Sequence, residues 1–142
     1  MERSCMPGIK DWTAKASGNL QAAKKLITGD DNTLDFAAYA TQQSAEKALK
    51  AFLVFKAQPI PKTHDLEKLL LTCTKFDASF QALRPDIRKL LPYATYTRYP
   101  DDYFEIDRDE VIQAIEHAEK ILLFIKTKTN TEKVKPGQST VF

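Results

Sequence analysis

Between Leu34 and Gln58 the chain runs for twenty-five residues without a glycine or a proline, drawing mostly on Ala, Leu, Lys, Glu and Gln. These side chains lose least on entering a helix, so the stretch reads as one long central helix. Its ends agree with that reading. Asp30, Asp31, Asn32 and Thr33 offer N-caps, and Pro59 and Pro61 forbid continuation. Ala38, Ala45, Ala48, Phe52 and Phe55 recur at spacings of three, four and seven and form one apolar stripe. Gln43, Lys47 and Lys50 stack on a different face, which is either a solvated flank or the floor of an anion site.

The neighbouring segments supply partners for that helix. Trp12, Ala16, Leu20, Ala23 and Ile27 give a first helix, capped by Asp11 and running to about Thr28, a single buried face. The loop Gly29 to Asn32 is short, so the first two helices are expected to lie antiparallel. After the extended connection Gln58-Pro-Ile-Pro-Lys62, a third helix begins at Thr63 or His64, with Thr63 the better cap, and carries Leu66, Leu69, Leu70 and Cys73. Pro85 suits the first turn of a short extra helix ending near Leu91. From Pro92 to Ile106 four tyrosines and two prolines without helical period predict a long ordered loop, a type more often functional than idle. The last helix has Asp107 as N-cap and Glu110 at N3, with Ile106 and Val111 as a hydrophobic staple, and its seam is Val111, Ile115, Ala118, Leu122 and Ile125.

No stretch alternates with the period of a strand, so the expected fold is all-α: an antiparallel up-and-down four-helix bundle with an additional short helix. A length of 142 residues suits one domain. Its expected parts are an irregular start at 1–10, the bundle at 11–128 and a flexible tail at 129–142. A net charge of +2 excludes a global field for nucleic acid, so such binding requires a local cluster. Cys5 and Cys73 are far apart and in no metal spacing, which favours reduced thiols. With no long apolar run and no signal-like start, the expected location is the cytoplasm, away from membrane.

Two places draw chemical interest. His64-Asp65 stands at a helix start, where a neutral His64 either closes the Pro-rich turn or contacts a ligand. His117, beside Glu116, reads as a partly exposed helix residue, and two distant histidines do not make a metal site. In Arg98-Tyr99-Pro100-Asp101, Pro100 stiffens the backbone that presents Arg98, the side chain best matched to a phosphate's paired oxygens. The alternative is that Arg98 meets a carboxylate while Tyr96 and Tyr99 plug the bundle end.

Tyr39, Gln42-Gln43, Ala45-Glu46-Lys47, Ala48 and Lys50, then Thr63-His64-Asp65 with Leu69-Leu70, then Arg98-Tyr99-Pro100-Asp101 before a last helix, resemble the HEPN domain family in order and spacing. The resemblance spans about Leu20 to Lys126. It implies a helical bundle, often dimeric, associated with nucleotide or RNA binding and often with a small nucleotidyltransferase. It implies a nucleotide- or phosphate-binding site built from Gln43, Lys47, Lys50, His64, Arg98, Tyr99 and Asp101, with no cofactor and no metal. Many members are metal-independent ribonucleases that use an Arg followed after four to six residues by His. That spacing is missing here: Arg98 leads to Tyr103, Phe104 and Glu105, and Arg108 precedes His117 by nine positions, half a turn out of phase. The expectation is therefore a binding module acting with a nucleotidyltransferase. The alternatives are a ribonuclease toxin held in check by its partner, with a dispersed pair such as Arg98 and His64, and a dimerisation module without a small ligand.

Overall fold

The computed structural model describes residues 7–94 and 106–129. They hold five α-helices, α1 (Ile9–Leu26), α2 (Leu34–Phe55), α3 (Leu66–Phe76), α4 (Arg84–Leu90) and α5 (Arg108–Thr129), with short 3₁₀ turns between them and no strand. The expected all-α class is the observed one. The central helix is central in fact, because α2 packs against each of the other four.

The direction of packing can be read from single contacts. Ser44 Oγ donates to the Ala16 carbonyl at 2.8 Å, while Lys50 stands over Trp12, so α1 and α2 run antiparallel. Asp86 meets His117 and Tyr93 meets Glu110, so the α4 segment runs antiparallel to α5. Small residues allow the closest approach: Ala16 and Ala23 of α1 and Ala37, Ala45 and Ala48 of α2 are fully buried. Further along α2 the gap widens and aromatic rings fill it. Phe52 lies 4.3 Å from Phe80 between ring centres, and Phe80 meets Phe124 edge-on at 5.0 Å. Phe55, expected in the same buried stripe, is 39% exposed because α2 ends there.

The helix termini correct three sequence expectations. Asp11 is not the cap of α1. The helix begins at Ile9 behind Gly8, and Asp11, one turn in, reaches back to accept from the Gly8 N–H at 2.8 Å. Neither Thr63 nor His64 caps α3. Asp65 does, accepting from the Glu67 and Lys68 N–H groups, while Thr63 Oγ1 accepts from the Asp65 N–H. The central helix stops before Gln58, at Phe55. Ala57 turns into the left-handed region at φ 56°, and the Ala57 and Gln58 N–H groups bond back to Val54 and Leu53 at 2.9 Å. The start of α5 is as expected, with Asp107 Oδ1 accepting from the Glu110 N–H at 2.9 Å. Pro85 occupies the first turn of α4 as expected.

Candidate functional site

Four of the seven predicted site residues come together around a carboxylate. On α2, Gln43, Glu46, Lys47 and Lys50 follow one another at spacings that place them on adjoining turns of one face. Glu46 is only 1% exposed, and a carboxylate so far from water needs partners. Its Oε2 has two: Lys50 Nζ and His64 Nδ1, each at 2.9 Å. Its Oε1 lies 3.5 Å from Gln43 Nε2, at the limit of a hydrogen bond. Lys50 is itself buried, so its ammonium is neutralised by Glu46 rather than by water.

A second set of bonds fixes the same residues from the other side. Lys47 Nζ donates to Gln43 Oε1 at 3.1 Å, Gln43 Nε2 donates to Gln42 Oε1 at 3.0 Å, and Gln42 Nε2 donates to the His64 carbonyl at 3.2 Å. The turn that ends in the α3 cap is thereby tied to α2 at both the backbone and the imidazole of His64. With Nδ1 engaged by Glu46, the His64 ring, 81% exposed, presents its Nε2 edge outward.

The electrostatics of this face are unbalanced. Desolvation lowers the Lys47 pKa from 10.5; Glu46 opposes the shift, and the ammonium groups of Lys50 and Lys15 add to it. Lys47 thus feels two neighbouring ammonium groups and a single carboxylate. Next to them Lys50 Nζ lies 6.0 Å from the centre of the Trp12 ring, whose Nε1–H is buried and has no acceptor among the described residues. This face thus combines excess positive charge with two half-buried polar side chains, Gln43 and Lys47. Arg98, Tyr99 and Asp101, the other predicted site residues, lie outside the described residues.

The model of the HEPN domain family matches residues 9–128. The chain belongs to the HEPN domain family. A crystal structure of an archaeal HEPN homologue has the same fold, with a TM-score of 0.65 at 26% identity over 87% of this chain and 99% of that one. Comparison with curated proteins found no match. Glu46, Lys47 and Lys50 and the Thr63-His64-Asp65 run, which carry the HEPN resemblance in sequence, are the residues this site joins in space.

Sequence reasoning left three contributors out of the site. Glu46 four places before Lys50 has the spacing of an ordinary surface ion pair, and nothing in the sequence marks the pair as buried. Trp12 reads as part of the buried face of α1, nothing in the sequence links Lys15 to α2, and only the antiparallel pairing of the two helices brings them to Lys50 and Lys47. Elsewhere His117, read as a partly exposed helix residue, is that but also has a partner. Its Nδ1 lies 2.8 Å from the buried Asp86.

Proposed function

We propose that this HEPN chain is a nucleotide- or RNA-phosphate-binding accessory module that receives a phosphate on the Gln43–Lys47–His64 face. One observation carries the reading: the ammonium of Lys47 is held partly out of water beside two like charges, so its proton is less secure than usual until an anion arrives. Lys47 would balance the phosphate charge and Gln43 would bond an oxygen. His64 would offer Nε2. Lys50 and Glu46 sit behind as the fixed pair that holds His64 in place. Arg98 and Tyr99 would add a second phosphate contact and a stacking surface for a base, with Asp101 part of the same binding set. A nucleotidyltransferase partner and self-association belong to the same reading, on the habits of the family.

The test is calorimetric titration with ATP, GTP and a short RNA of the wild type and of Lys47→Ala combined with Arg98→Ala. Binding should vanish in the double variant while helicity is unchanged. Equal binding in the double variant removes this face from consideration. Cleavage of a labelled RNA without divalent metal, lost in Arg98→Ala, would replace the reading with a ribonuclease.

A further inference from the structure

A second histidine is set against a second buried carboxylate, on different helices. Asp86, 3% exposed, follows Pro85 in the first turn of α4. Its Oδ1 accepts from His117 Nδ1 at 2.8 Å. Its Oδ2 is buried with no hydrogen-bond partner, and the nearest cation, Lys120 Nζ, is 3.7 Å away. This arrangement decides the tautomer: the proton on Nδ1 goes to Asp86, and Nε2 is left for something else.

His117 lines a cavity of about 250 Å³ between the α4 segment and α5, together with Arg88, Lys89, Tyr93, Glu110 and Gln113. Arg88 is held there loosely. Its Nε is 3.5 Å from Glu67, with both side chains well exposed, and the two terminal nitrogens make no hydrogen bond among the described residues. Across the cavity Glu110 Oε2 accepts from the Tyr93 hydroxyl at 2.5 Å. The α4 wall therefore offers a guanidinium and an ammonium. The α5 wall offers the His117 imidazole, the Gln113 amide one turn before it and, a further turn back, the Glu110 carboxylate, the last two suited to hydroxyl groups.

We propose that the Arg88–Lys89–His117 cavity binds a small phosphate monoester, with its phosphate held between Arg88 and Lys89 of α4 and His117 of α5 and its hydroxyls on Gln113 and Glu110. The volume lies below the span of ordinary drug-sized pockets, so it takes a phosphorylated fragment the size of a pentose rather than a whole nucleotide. The three donors together favour a monoester, whose terminal phosphate presents three free oxygens and a charge of about −1.5 to −2 near neutral pH. A diester presents two free oxygens and a single charge to the same donors. Arg88 adds the paired donors that match two phosphate oxygens. The site shares no residue with the Gln43–Lys47–His64 face and stands whether or not that face binds nucleotide.

The monoester has two sources, a small sugar phosphate or the phosphorylated end of an RNA. The full chain is titrated with ribose 5-phosphate, and with one short RNA carrying either a 5′-phosphate or a 5′-hydroxyl. Saturable binding of a monoester is expected, weakened about tenfold or more by Arg88→Ala and by His117→Gln and unaltered by Lys47→Ala. The His117 ring signals should move in nuclear magnetic resonance spectra as the wild type is titrated. Preference for the 5′-phosphate RNA that Arg88→Ala erases assigns the site to RNA ends, and binding of ribose 5-phosphate alone assigns it to a small molecule. Because Arg88 is exposed, Arg88→Ala leaves the fold intact. Absence of saturable binding by every monoester, or binding indifferent to both substitutions, overturns the proposal.

Discussion

Glu46 and Asp86 are both withdrawn from water, at 1% and 3% exposure, and each meets a histidine Nδ1, at 2.9 Å and 2.8 Å respectively. They differ in everything else around the carboxylate. Glu46 has a buried lysine at 2.9 Å on its own helix, whereas the lysine nearest Asp86 is 3.7 Å away, on another helix and largely in water. The histidines reverse the pattern. His64 is 81% exposed while His117 is 28% exposed and faces a cavity. A carboxylate whose charge is fully matched anchors a segment, here the turn before α3. One with an unmatched oxygen leaves its histidine beside a space that a ligand can complete.

The largest effect that tests this contrast is on stability. Glu46→Ala leaves the buried ammonium of Lys50 without its counter-charge and should cost about 3–5 kcal/mol. Asp86→Ala leaves behind only groups that reach water and should cost about 1–3 kcal/mol. Urea unfolding of the two variants measures both, and equal losses would erase the distinction. Replacing the pair together, Glu46→Leu with Lys50→Met, should recover most of the Glu46→Ala loss, since no charge is then stranded.

The next effect is on the pH dependence of binding. Desolvation, with repulsion from Lys50 and Lys15, lowers the Lys47 pKa from 10.5, and a bound anion favours its charged form. Nucleotide affinity should therefore fall as pH rises from neutral into the alkaline range, with a midpoint below 10.5. Lys47→Arg should abolish the fall, because guanidinium keeps its proton throughout. Titration of ribose 5-phosphate in the same buffers should not follow this profile, as Lys47 is no part of that cavity.

Asp77 supplies a partly exposed reference for the two buried carboxylates. Ser79 donates to it from its hydroxyl and its N–H, and Lys128 of α5 pairs with it at 2.9 Å. The Ser79 hydroxyl first, and then Lys128, lower its pKa from 3.8 to about 2. The stabilisation this brings is complete above 3.8 and is lost as pH falls through about 2. Asp77→Asn should flatten that part of the acid unfolding curve without altering binding at either histidine. The smallest effect concerns the end of α2. Ala57→Gly removes the strain of a left-handed residue and should raise stability by about 1 kcal/mol, leaving the His64–Glu46 bond in place. A loss of nucleotide affinity in Ala57→Gly would mean that this turn, not Glu46, positions His64.

Much of the scaffold was legible because local chemistry decides it. The Gly- and Pro-free run from Leu34, the Asp107 cap with its staple, and Pro85 at the head of a short helix needed no tertiary information. The start of α3 was harder. Thr63, His64 and Asp65 can each cap a helix, and the choice of Asp65 goes with the bond from Gln42 to the His64 carbonyl, twenty-two residues away in sequence. The stripe through Phe52 ran one turn too far, because periodicity does not announce where a helix leaves the core. At the site, residue type and resemblance point to Gln43, Lys47, Lys50 and His64. The residue that joins them, Glu46, was hidden by a spacing that surfaces use everywhere. His117 and Asp86 are thirty-one positions apart, and no local rule couples them.

Because α2 is packed by each of the other four helices, the side chains it presents stand on the most enclosed element of the described fold. Gln43, Lys47 and, through Glu46, His64 have surrendered most of their freedom during folding. On the proposed reading, an anion binding there would meet donors already in register, and little further ordering would be asked of the protein at the moment of binding. The association should accordingly be quick to form and little altered by changes in distant loops.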